Sequence, residues 1–233
     1  MMELTPDALI VFTVVGIPIN ATIFFTWIIM TVLTGVAWLM TRSLRPDVPP
    51  SRWRTALEVI VLGIQDQIAE ITGGPARQVM YFSGTLFLFI FVSNVLAVVP
   101  GFHAPTGSLS TTTALALAVL VAVPIFGVGS RGLRGYLKTY LEPSWIMLPF
   151  NLVSEVTRGL SLAIRLYGNI MSGAVIVAIL LGVAPFFFPV LMEMLGLLAG
   201  VIQAYIFAVL ATVYISSAMV NPSQHSSKEK ETS

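Results

Sequence analysis

FNLVSEVTRGLSLAIRLYGNIMSGAVIVAILLGVA, residues 150–184, is the stretch that decides how this chain folds. It contains no proline, and its 35 residues make one helix roughly 50 Å long at about 1.5 Å per residue. A bilayer's hydrocarbon core is only ~30 Å thick. Such a helix must tilt steeply or protrude. In its middle stands Arg165, whose guanidinium does not shed its proton in a protein and so cannot escape burial by becoming neutral. A charge near the bilayer centre costs at least ~3 kcal/mol on insertion scales, which marks an ion path rather than packing. Ser161, Arg165 and Asn169 recur at i, i+4 and i+8 and share one helical stripe. Arg158 continues that face seven residues before Arg165, and Glu155 lies one turn further back.

The rest of the chain agrees with a membrane environment. Its 233 residues are 56% hydrophobic and 10% charged, with mean hydropathy +0.90, where soluble proteins carry about 25% charged residues. An all-α integral membrane protein follows. Spanning takes about 20 apolar residues, and five segments reach that length, at about 9–40, 79–99, 109–128, 150–184 and 189–220. Pro18 is expected to kink the first near its start, and Pro124 interrupts the third. Residues 52–71 are too charged to span. Trp53, Leu57, Ile60, Val61, Ile64 and Ile68 fall near helical spacing there, which predicts an amphipathic helix along the cytoplasmic surface. The tail, 221–233, is polar and expected to be disordered. Residues 1–220 then form a single polytopic membrane domain.

Charge placement orients the spans. Arg42, Arg45, Arg52, Arg54 and Arg77 lie between the first two spans, Arg131, Arg134 and Lys138 between the third and fourth, and Lys228 and Lys230 in the tail. The opposite side has no Lys or Arg. The positive-inside rule therefore puts the N-terminus outside and the C-terminus in the cytoplasm. The N-terminus lacks the basic region of a signal peptide, so the first apolar run is expected to stay in the membrane.

Several function classes fall away. With 12 basic residues against 11 acidic ones there is no field to attract nucleic acid. No cysteine is present, and His103 and His225 are too few and too separated for a metal site, so neither metal nor cofactor is expected. No Gly-rich loop with a Lys occurs, so this chain has no nucleotide site of its own. A stand-alone secondary transporter or channel is the alternative, but such proteins show paired repeats and broken helices; here no repeat is evident and the fourth span is unbroken. A non-catalytic scaffold leaves Arg165 unexplained.

The fifth span carries Glu193, Gln203 and Tyr214, with the small-xxx-small pair Gly196 and Gly200 permitting close backbone approach. Gln203 and Tyr214, about three turns apart, share a face, and Gln203 is expected to hydrogen-bond toward the Arg165 stripe. At 32 residues this span is also over-long, so the last two spans are expected to form a long, tilted antiparallel hairpin.

At these residues the chain resembles a known family. Phe150-Asn-Leu-Val-Ser-Glu155, then Ser161-Leu-Ala-Ile-Arg-Leu-Tyr-Gly-Asn169, then Val201-Ile-Gln-Ala-Tyr-Ile-Phe207 look like the a subunit of bacterial F-type ATP synthases. Upstream, Phe91-Val-Ser-Asn-Val-Leu-Ala-Val-Val-Pro-Gly101, Pro105-Thr106 and Met147-Leu-Pro-Phe150 resemble it in the same order. The resemblance implies a stator in the bacterial plasma membrane, partnered by a ring of c subunits, by peripheral-stalk b subunits and indirectly by the soluble catalytic sector. Arg165 would be the stator charge that meets the c-ring carboxylates and separates two half-channels for H+ or Na+. Asn169 and Gln203 match its polar neighbours, Glu155 and Ser161 match the cytoplasmic access path, and Asn94 matches a polar position in the second span. One departure stands out. Many members carry ionisable residues where this chain has Ala174 and Gly196, and Glu193 is the nearest acid that can replace them.

Overall fold

A computed structural model of the protein describes residues 10–14, 17–42, 52–72, 77–99, 101–141, 145–183 and 187–219. Within them lie two short strands, β1 (Ile10–Val14) and β2 (Ile17–Asn20), and six α-helices: α1 (Ala21–Arg42), α2 (Arg52–Thr72), α3 (Arg77–Leu96), α4 (Leu109–Leu141), α5 (Met147–Val183) and α6 (Phe188–Met219). All but α2 are long and apolar enough to cross a membrane. The expected tail 221–233, with Lys228 and Lys230, lies outside the described residues, as does Arg45.

The first span corrects the sequence reading. The helix begins at Ala21 rather than at residue 9, and residues 10–14 and 17–20 instead pair as antiparallel strands in which Val14 faces Ile17 and Thr13 faces Pro18. Proline has no N–H to give a helix interior, and the β-branched residues around it fit a strand, so Pro18 excludes the helix instead of kinking it.

The third span also differs. It continues past residue 128 to Leu141, so Arg131, Arg134 and Lys138 are helical rather than in a loop. The break comes at Gly132, with φ 74° and ψ 161°, a conformation that glycine alone adopts easily. Beyond it the chain turns back so that the Tyr136 ring covers Gly127. Tyr136 is buried there.

α3, α4, α5 and α6 form the packed body of the protein, and α1 touches it at α3. Ile90, Phe207, Leu162, Leu166 and Val119 are fully or almost fully buried in one cluster where they meet. α2 lays Ile68 against Val79, Ala122 and Ile215, while Gln65, Asp66 and Glu70 are exposed. That two-sided character is what an interfacial helix requires.

Buried and half-buried polar side chains tie α6 to its neighbours. Thr212 Oγ1 donates to Ser83 Oγ at 2.9 Å, Ser216 Oγ to the Ile71 carbonyl at 3.4 Å, and Arg131 Nε to the Met219 carbonyl at 3.2 Å. The last caps the C-terminal end of α6, where carbonyls lack helical partners and a cation is favoured.

Candidate functional site

α5 is an outer wall. Only 6% of its spanning window is buried, against 33% for α3, because its apolar residues seal a narrow stripe: Leu162, Ala163 and Leu166 face the core. A helix that buries 162, 163 and 166 turns 161 and 165 outward. Ser161 and Arg165 are accordingly exposed, and Asn169 is half-buried.

Arg165 is held loosely. Among the described residues its single hydrogen bond runs from Nη2 to Ser161 Oγ at 3.4 Å, one turn back on its own helix. No acidic side chain pairs with it among the described residues. Further along the stripe, the Asn169 carbonyl accepts from Ser172 Oγ at 3.2 Å.

Towards the basic end of α5 the polar residues converge. The Arg158 guanidinium lies over the Tyr214 ring, 5.3 Å from its centroid, and joins α5 to α6. Such a contact contributes about 0.5–1 kcal/mol when exposed. Glu155, Arg158, Arg131, Asn151, Ser154 and Ser217 line a cleft of about 180 Å³ between α4, α5 and α6. Glu155 and Arg158, neighbours on one stretch of the fourth span, thus meet Tyr214 of the fifth in one place.

Gln203 is 6% exposed, and its Nε2 has no hydrogen-bond partner among the described residues. An unmade bond of this kind costs about 1–3 kcal/mol. The expected hydrogen bond from Gln203 toward the Arg165 stripe is not formed; the amide is buried, and Arg165 turns outward to Ser161.

Asn94 is 2% exposed, and both ends of its amide are bonded. Nδ2 donates to the Gly200 carbonyl at 2.8 Å, and Oδ1 accepts from Thr106 Oγ1 at 2.7 Å. Gly200 is the small residue that lets α6 come this close, since a Cβ there would sit 3.0 Å from that of Asn94. The spacing of Gly196 and Gly200 signals a close approach in sequence; its partner, 106 residues away, carries no such signal. The Ser83–Thr212 bond is equally invisible in sequence, because its members are 129 residues apart.

Glu193 is exposed near the start of α6, Ala174 is exposed and Gly196 half-buried. His103 is exposed, its ring 6.1 Å from that of Phe25.

Residues 23–216 match the family model described as ATP synthase A chain. The chain is similar to ATP synthase subunit a 2 of Acaryochloris marina, at 57% identity over 93% of each chain. It is also similar to ATP synthase subunit a of Albidiferax ferrireducens, at 51% identity over 93% of this chain and 94% of that one. Subunit a 1 of Chlorobaculum parvum is again 51% identical, over 93% and 96%. A family-model match over residues 23–216 and 57% identity across nearly the whole length of such a relative place this multi-pass membrane protein in the ATP synthase A chain family.

Proposed function

We propose that this chain is the membrane stator of a rotary ATP synthase, carrying H+ or Na+ between two half-channels and a ring of c subunits. The observation that carries the proposal is Arg165: a permanent charge, exposed midway along the wall helix, whose only hydrogen bond among the described residues is a long one to its own helix. A guanidinium so placed is completed by a carboxylate arriving from another chain.

The physics suits a passing partner. Attraction between opposite charges in a poor dielectric is large, but desolvation offsets much of it, so the pair can form and break at each step. The arginine favours the ionised carboxylate and so displaces its bound ion. It also separates the two half-channels, because a cation does not pass a fixed positive charge cheaply. Lysine is a poor substitute, since a buried ammonium can deprotonate.

Asn169 and Gln203 are the polar residues assigned to the arginine's neighbourhood, although among the described residues its hydrogen bond goes to Ser161 instead. The unpaired Nε2 of Gln203 is a buried donor in the body behind the wall helix. Glu155, Arg158 and Ser161 lead to the cytoplasmic access path, Tyr214 holds Arg158 in place, Asn94 fixes α6 against α3, and Glu193 relays ions at the external inlet. The basic residues put the N-terminus outside and the C-terminus in the cytoplasm of the bacterial plasma membrane. Peripheral-stalk b subunits and the soluble sector complete the assembly. ATP chemistry belongs to those partners.

Reconstitution of the complete complex with Arg165→Ala tests this. ATP-driven ion pumping should fall to background while the soluble sector still hydrolyses ATP. Pumping at the wild-type rate would overturn the proposal.

A further inference from the structure

The cleft where α4, α5 and α6 meet is continuous with a second space of opposite character. Beside it runs an apolar groove of about 370 Å³, walled by Leu120 and Pro124 of α4 and by Leu148, Leu152 and Val156 of α5. Tyr136 and Glu155 line both, so polar cleft and apolar groove form one site. The fold builds it deliberately: the turn at Gly132 carries Tyr136 back over Gly127 and roofs the junction.

We propose that this site binds an anionic phospholipid, with its phosphodiester between Arg131 and Arg158 and one acyl chain along the Pro124–Leu152 groove. Guanidiniums match phosphate oxygens with paired N–H donors. Both are anchored by the fold, Arg131 through Nε on the Met219 carbonyl and Arg158 over the Tyr214 ring, so little freedom remains to be lost on binding. Two formal positive charges and the one negative charge of Glu155 leave the cleft with a single positive charge. That suits a singly charged phosphodiester better than a doubly charged free phosphate. Basic pockets between transmembrane helices on the cytoplasmic side are where anionic headgroups bind, and the orientation proposed above puts this cleft there.

The apolar groove points away from Arg165, since Val156 precedes it by nine residues, roughly half a turn at about 100° per residue, while Glu155 and Arg158 of the cleft are shared with the proposed cytoplasmic access path. Lipid retention is read without ion transport, so failure of lipid binding leaves the stator proposal intact, and failure of the Arg165 test leaves this one intact.

The test is lipid retention by the full-length chain, read by native mass spectrometry after equilibration with mixed micelles of phosphatidylglycerol and phosphatidylcholine of matched chains. Retention should favour phosphatidylglycerol by roughly 5-fold, the effect of one net positive charge at about 1 kcal/mol. Arg131→Gln with Arg158→Gln should abolish that preference, and the corresponding pair of lysines should restore most of it. Val156→Phe, which fills the groove and leaves both charges, should lower retention of long-chain phosphatidylglycerol but not of a short-chain form. Equal retention of the two lipids, or a preference that survives the glutamine pair, would overturn the proposal. So would displacement by inorganic phosphate together with indifference to Val156→Phe, because that is a bare anion site.

Discussion

Replacing Gly200 with alanine is the sharpest test of how the body behind the wall helix is held. A Cβ at this position would lie 3.0 Å from Asn94 Cβ, 3.2 Å from its Nδ2 and 3.3 Å from its Cγ. Asn94 cannot swing away without releasing Thr106 and the Gly200 carbonyl, to which it is bonded at 2.7 and 2.8 Å. Overpacking of this kind costs ~1–3 kcal/mol, and the two strained hydrogen bonds add ~1 kcal/mol between them at about 0.6 each in a membrane. Alanine returns about 1 kcal/mol through its better helix propensity. The net expectation is a loss of about 1–3 kcal/mol, measured by unfolding the purified chain with dodecyl sulfate in mixed micelles and following helicity. In an Asn94→Ala background the hydrogen bonds and two of the three contacts are already gone, so the same change should cost about 1 kcal/mol less. Gly200→Ala within 0.5 kcal/mol of wild type, or strict additivity in the cycle to within about 0.3–0.5 kcal/mol, would refute the reasoning.

Three further outcomes follow from the geometry. Gly132→Ala forces a side chain onto the backbone at φ 74° and should cost about 1–3 kcal/mol, seen as faster proteolysis of the segment after the break; an unchanged digestion pattern argues against the strain. Thr212→Val removes the buried bond to Ser83 and should lower stability by about 0.6 kcal/mol, with Ser83→Ala adding almost nothing in the same background; a full second loss would mean the two are not coupled. Glu193→Gln should slow ATP-driven ion transport by the reconstituted complex, and equal rates at every pH tested would take Glu193 off the path.

Much of this architecture is legible in sequence because length and hydropathy are read locally. α2 through α6 are marked by apolar runs and spacing, and Arg165 by its cost in an apolar helix. The strand pair at residues 10–14 and 17–20 is not, since a continuous apolar run looks alike as strand or buried helix; Pro18 is the discriminating signal, and it argues for exclusion more than for a kink. The extension of α4 hides for another reason. Arg131, Arg134 and Lys138 read as a solvated loop, whereas a glycine break lets them stay helical and fold back. What no local pattern reveals is pairing across the fold. Asn94 with Gly200, Ser83 with Thr212 and Arg158 with Tyr214 are set by how helices stack, as is the outward turn of Arg165 away from Gln203.

The looseness of Arg165 bears on the gearing of the motor. Among the described residues its one hydrogen-bond anchor, Ser161, rides on the same helix, so the sweep of the guanidinium is set there by its own flexible stem. A charge mounted this way tolerates variation in where the approaching carboxylate first comes within reach. On the stator proposal, the same subunit can then serve rings with different numbers of carboxylates, and the ratio of ions carried to ATP made becomes a property of the rotor alone.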